Sequence, residues 1–206
     1  MKVVWLMLAG ILLGYIFAAE APPQVAAAVE TGLRARYETS YALTEPIAKE
    51  PSQWAFLNNI VVLFLLAYGG VLVSYVKLGK EQDWFYGLVA KIDRSYERCR
   101  YRDELFSIQL LPYGGSFLNG TLVGYISRKA QVSLLQHVPL EVLGLLIAAG
   151  IGERIEKELR GLGMNEFVKR RSGIVKSFKY WPFFVGAVWL IIAAAGIEFS
   201  WVPKPG

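Results

Sequence analysis

Three long apolar stretches punctuate the chain, at 3–19, 54–76 and 181–201, and only the last carries a charge, Glu198 near its end. At ~1.5 Å of rise per residue, each crosses or nearly crosses a hydrocarbon core of ~30 Å. Two weaker segments lie between them. Residues 106–126 are uncharged but interrupted by Pro112, Gly114, Gly115, Gly120 and Gly124, and residues 138–151 are short and contain Glu141. The pattern predicts an all-α, polytopic transmembrane helical bundle of about five membrane segments in a single membrane domain.

Basic residues decide how many segments cross. The flanking regions from N- to C-terminus hold 1, 3, 7, 2, 8 and 1 Lys or Arg. Five crossings place 16 of them on one side and 6 on the other. By the positive-inside rule this puts the N-terminus in the cytoplasm and the C-terminus outside, as a multi-pass protein of the cell membrane. Were only one weak segment to cross, the two basic loops would face opposite sides. A re-entrant pair made of the third and fourth segments preserves the same sidedness and stays open. Lys2, the apolar core and Ala18-Ala19-Glu20-Ala21 also fit a cleavable signal peptide, although the seventeen-residue stretch is long for one and favours an anchor.

Composition agrees with a membrane protein. The 206 residues are 54% hydrophobic, with a formal charge of +5 and a single Cys, which excludes a disordered chain or a disulfide framework. The outer loop, 20–53, has five carboxylates against three cations and room for an amphipathic helix over 26–41. The inner loops, 77–105 and 152–180, are basic, the second reading as a helical continuation over 153–159 before a Gly161/Gly163 break. Arg94, Arg98, Arg100 and Arg102 in the first, and Lys169, Arg170 and Arg171 in the second, fit attraction to anionic lipid headgroups, at ~1 kcal/mol per basic residue. Ordinary positive-inside loops have the same composition. Nucleic acid is not an expected partner of such short juxtamembrane loops. Cys99 lies between two arginines, which lowers a thiol pKa, yet a lone Cys there needs no redox role.

Polar and small residues inside the apolar segments are the candidates for function. Asn58 and Asn59 sit in the second segment, where Asn side chains need partners and interhelical hydrogen bonds contribute ~0.6–2 kcal/mol. Gly10/Gly14 and Gly120/Gly124 each form a GxxxG, and Gly144, Ala148 and Gly152 repeat the spacing, which predicts close helix packing with a stripe available for a homo-oligomer. The run His137-Val138-Pro139-Leu140-Glu141 reads as a helix start with Val138 as cap, Pro139 at the first position and Glu141 at the third, where a carboxylate favours the dipole. If Gly152 marks the inner boundary, His137 is about 22 Å away and about 8 Å short of the outer surface. Such a buried ionisable pair is a functional-site hypothesis by default, and sunken helix starts hold ions in several transporters.

No P-loop, HExxH, GxSxG or metal-spaced Cys/His cluster occurs, so neither an enzyme, a cofactor nor a metal is expected. The order of the polar marks resembles a known family. Phe56-Leu57-Asn58-Asn59, then Asn119-Gly120-Thr121-Leu122-Val123-Gly124, then His137-Val138-Pro139-Leu140-Glu141 resemble the stage II sporulation protein M family of integral membrane proteins. That family shares an Asn-Asn span start, an Asn-Gly-x-x-x-Gly segment and a His-Gly-x-x-Glu-x-Pro helix start. The likeness covers about 54–152, with Val138 in place of the family's Gly and Leu143 in place of its Pro. It implies Asn58, Asn59, Asn119, Gly120, Gly124, His137 and Glu141 as family positions. It also implies a non-enzymatic component of a membrane complex. The expected function is therefore a membrane scaffold that assembles with itself or with other membrane proteins. The alternative is a small transporter or channel subunit moving protons, ions or an anionic solute through His137 and Glu141.

Overall fold

The computed structural model describes residues 2–27, 31, 51–78, 104–129 and 137–200. Most of the loops 20–53 and 77–105 therefore lies outside the described residues, as do Arg94, Arg98, Cys99, Arg100 and Arg102. Among the described residues every regular element is helical. Helix α1 (Lys2–Glu20) is apolar all round and buries Val3, Met7, Gly10 and Gly14, a stripe at spacings of four, three and four. Pro22 and Pro23 follow its end, where their rings cannot continue the ladder.

Both inner segments bulge at their middle. Helix α2 (Pro51–Phe64) runs through a π-helical turn, Leu65–Gly69, into α3 (Gly70–Leu78). A helix entering at 104 passes a second π-helical turn, Leu110–Gly114, into α4 (Gly115–Lys129). The sequence treats Pro112 and its glycines as interruptions, but the chain stays helical from 104 to 129. Pro112 lacks an N–H, and a widened turn absorbs that loss without ending the helix.

Helix α5 (Val138–Leu159) has 22 residues, about 33 Å, so it extends two turns beyond the apolar run 138–151. Gly161, with φ of 81°, turns the chain into α6 (Met164–Ser177). Phe178, at φ 44°, then leads into α7 (Trp181–Ser200). The axes of α6 and α7 differ by 50°. Two helical stretches, Lys2–Glu20 and Phe56–Tyr75, are long and apolar enough to cross a membrane, and the bent pair α6–α7 makes a third if it counts as one span.

Contacts fix which helix ends lie together. Gly10 and Gly14 of α1 meet Phe117 and Thr121 of α4, so the two helices run parallel, and Arg128 near the end of α4 donates to the Tyr15 hydroxyl at 3.0 Å. The Lys2 and Val3 amides donate to the Glu153 carboxylate at 3.2 and 3.4 Å, which sets the start of α1 beside the last turns of α5. Arg171 of α6 donates to the Ser74 carbonyl of α3 at 2.8 Å. The starts of α1, α6 and α7 thus share one end of the bundle with the ends of α3 and α5. Between the two ends, Leu63, Leu66, Ile108, Ile155, Phe184 and Ile191 form the core.

Candidate functional site

The second and fourth apolar segments meet at two of the candidate residues. Asn59 donates from Nδ2 to Glu141 Oε1 at 2.9 Å, joining α2 to the first turn of α5. Glu141 and Asn58 are both half-buried. The helix start differs by one position from the sequence reading. His137, not Val138, is the cap; Pro139 is the second helical residue; and the Leu140 and Glu141 amides donate to the His137 carbonyl. Glu141 therefore lies one residue further into the helix than N3, where its carboxylate reaches across to Asn59.

A second carboxylate, on the same helix, escaped the sequence reading. Glu156 is fully buried and is held from three sides. Gln109 Nε2 donates to Oε1 at 2.8 Å, the Tyr113 hydroxyl to Oε2 at 3.2 Å, and Arg160 Nε to Oε1 at 2.7 Å. A buried charge is tolerated only when paired and hydrogen-bonded, and this one is. A signal for it exists in the sequence. Glu156 continues the Gly144, Ala148, Gly152 stripe at the same four-residue spacing, so it had to face a neighbour.

The small-residue stripes are spent within the chain. A Cβ on Gly120 or Gly124 would fall on the Met7 or Ile11 carbonyl of α1, and one on Gly10 or Gly14 would fall on Phe117 or Thr121. This reciprocal contact brings backbone against backbone, the geometry in which Cα–H groups approach carbonyls. Gly144 packs on α7, its Cβ position 3.2 Å from the Ala187 carbonyl, and Ala148 is fully buried. Gly152 faces the Leu66 carbonyl and Pro112, so it sits against both π-helical turns. These contacts take up the stripes on which a homo-oligomer was expected. Asn119 makes no helix-to-helix bond of this kind; its Nδ2 donates to the Gly115 carbonyl of its own helix at 2.8 Å.

The basic residues divide in the same way. Arg171 is 3% exposed, bonded to the Ser74 carbonyl and hydroxyl and stacked near the Tyr75 and Phe167 rings. It is an internal tie rather than a lipid-facing cation. Lys169 and Arg170 are exposed on α6. Arg170, Lys179 and Tyr180 gather around Glu158, with Lys179 Nζ at 2.8 Å and Arg170 Nε at 3.7 Å from its oxygens. Burial raises the Glu158 carboxyl, but hydrogen bonds from Lys179 and Tyr180 outweigh it and hold the group below its ordinary value.

Two open cavities flank these helices. One, of about 600 Å³, is lined by Lys169, Arg170, Ser177 and Lys179 with Glu166 and Ile174. The other, of about 550 Å³, runs between α1 and α5 from Leu143 to Lys157. Neither is lined by His137 or Glu141. Among the described residues no three His, Cys, Asp or Glu side chains converge as a metal site. No protein-family model, curated protein or solved structure matches the chain.

Proposed function

We propose that the protein is a non-enzymatic integral membrane scaffold, crossing the bilayer five times with its N-terminus inside, that holds other membrane proteins in a complex. One observation carries this reading: several buried or half-buried polar side chains are bonded from helix to helix. Asn59 to Glu141, Gln109 and Tyr113 to Glu156, and Ser74 to Arg171 each tie two separate helices. Groups consumed in such ties stiffen a bundle, and interhelical hydrogen bonds are one of the few forces that hold helices together in lipid. The alternating directions of the described helices are compatible with five crossings, for which the sequence assigns 16 of 22 cations to the inner side. The resemblance to the stage II sporulation protein M family points the same way.

Large apolar side chains remain on the outer faces, among them Trp5 and Leu12 on α1 and Phe183 and Trp189 on α7. Lipid tails and helices of partner proteins are the natural occupants of such faces. A photo-crosslinking residue at position 12 or 189, activated in native membranes, tests the reading. The proposal expects a reproducible adduct with one membrane-embedded protein or with a second copy. Adducts with lipid alone at both positions would overturn it.

A second reading is retained for one observation. Glu141 is half-buried rather than sealed, with His137 one turn before it at the same helix start. A carboxylate in that position suits proton or ion movement, and the flux of reconstituted protein decides between the two.

A further inference from the structure

The groove between α1 and α5 has a graded wall. Its lower part is apolar, formed by Leu143, Leu146 and Ile147 with Gly150 at its floor, while Val3 and Val4 of α1 line it nearer the mouth, where the Val3 amide is bonded to Glu153. Its mouth is charged, with Glu153, Arg154 and Lys157. From Leu143 to Arg154 the helix rises about 16 Å, roughly the depth of one leaflet of a ~30 Å core. The floor is open, because a Cβ built on Gly150 meets nothing within 4 Å, unlike those on Gly144 and Gly152.

The charges at the mouth are not balanced. Glu153 accepts hydrogen bonds from the Lys2 and Val3 amides and pairs with Lys157 at 2.7 Å. One carboxylate is thus already engaged by two backbone N–H groups and a cation. Arg154 is exposed and lies 5.9 Å from the Tyr180 ring centroid, and the exposed Lys2 stands beside the same mouth. Two cations, Arg154 and Lys157, therefore line the mouth with one occupied carboxylate, which leaves it net positive above an apolar slot one leaflet deep.

We infer that this groove is a binding site for a single anionic phospholipid, with an acyl chain along Leu143, Ile147 and Gly150 and the headgroup phosphate at Arg154 and Lys157. The charge pattern selects this occupant over a second copy of the chain. Two copies related by an axis along the membrane normal would set Arg154 and Lys157 against their own equivalents, which is repulsive. A zwitterionic lipid fills the slot equally well but gains less from the cations, each of which contributes about fivefold near a membrane surface. The inference rests on the membrane-embedded reading, and that premise is checked on its own by whether alkaline carbonate leaves the chain in the membrane fraction.

Native mass spectrometry of the full chain, titrated with phosphatidylglycerol or phosphatidylcholine, tests the site. The wild type is expected to retain one phosphatidylglycerol in preference to phosphatidylcholine. Arg154→Gln with Lys157→Gln should lower that preference on the order of tenfold. Gly150→Leu, which fills the floor without meeting backbone, should reduce retention of both lipids while the far-ultraviolet helical signal stays unchanged. Equal retention of phosphatidylglycerol in wild type and both variants would overturn the proposal. So would a dimer that forms in the wild type and is lost in Gly150→Leu, since the groove would then hold a second copy.

Discussion

The two sides of the bundle hold their helices by the same two means in different proportion. Between α1 and α4 the contact is made by missing side chains: Gly10, Gly14, Gly120 and Gly124 let backbone meet backbone with nothing between. Around α5, where Gly144 and Gly152 also meet neighbouring carbonyls, polar side chains are added, with Glu141, Glu153 and Glu156 each reaching another helix. For a bundle embedded in lipid, as proposed, no hydrophobic force favours helix association, so one device serves close approach and the other register. The difference teaches that the glycine contact tolerates no added atoms, whereas a polar tie tolerates replacements that keep its hydrogen bonds.

The largest effect is therefore expected on the glycine side. Gly124→Leu puts a side chain onto the Ile11 carbonyl and should cost about 3 kcal/mol, seen as a lower unfolding temperature in detergent. Gly186→Leu is the matched control, because nothing lies within 4 Å of its Cβ position, and its unfolding temperature should hardly move. Equal losses in both would dissolve the distinction. Next comes Glu156→Ala, which leaves Gln109 and Tyr113 without their acceptor and should cost about 2 kcal/mol. Glu156→Gln keeps an acceptor oxygen and should cost less.

Asn59→Ala removes a single interhelical bond and should cost about 1 kcal/mol by the same measurement. The smallest effect is expected at the partly exposed Glu158. Its carboxyl is held below the ordinary range, so its stabilisation is complete above the unfolded value of ~4.3 and is lost as pH falls through the lower folded value. A melting profile should be level from pH 7 to about 5 and decline in more acid solution. In Glu158→Gln the acid decline should be shallower.

Much of this plan is legible in the residues. The apolar runs locate the helices, and the GxxxG spacing of Gly10/Gly14 and Gly120/Gly124 marks the closest contact. What the spacing leaves open is which stripe meets which, because every small-xxx-small face is physically alike. Pro112 illustrates a second limit: a missing N–H reads as a break, yet a π-helical turn accommodates it when Gly152 of a neighbour packs against the bulge. Arg171 illustrates a third. Its place in a basic run argues for lipid, and only its proximity to Ser74 across the fold reveals an internal tie. Of the candidate pair at the start of α5, Glu141 gains a cross-helix partner, while His137 contributes its backbone carbonyl as the helix cap.

The most direct test of the central claim, that the buried polar groups are ties between helices, is proton and small-ion flux in reconstituted liposomes, comparing wild type with Glu141→Gln. The account predicts no flux above that of empty liposomes for either protein. A flux in the wild type that disappears in Glu141→Gln would contradict it and make the Asn59–Glu141 contact part of a conduction path.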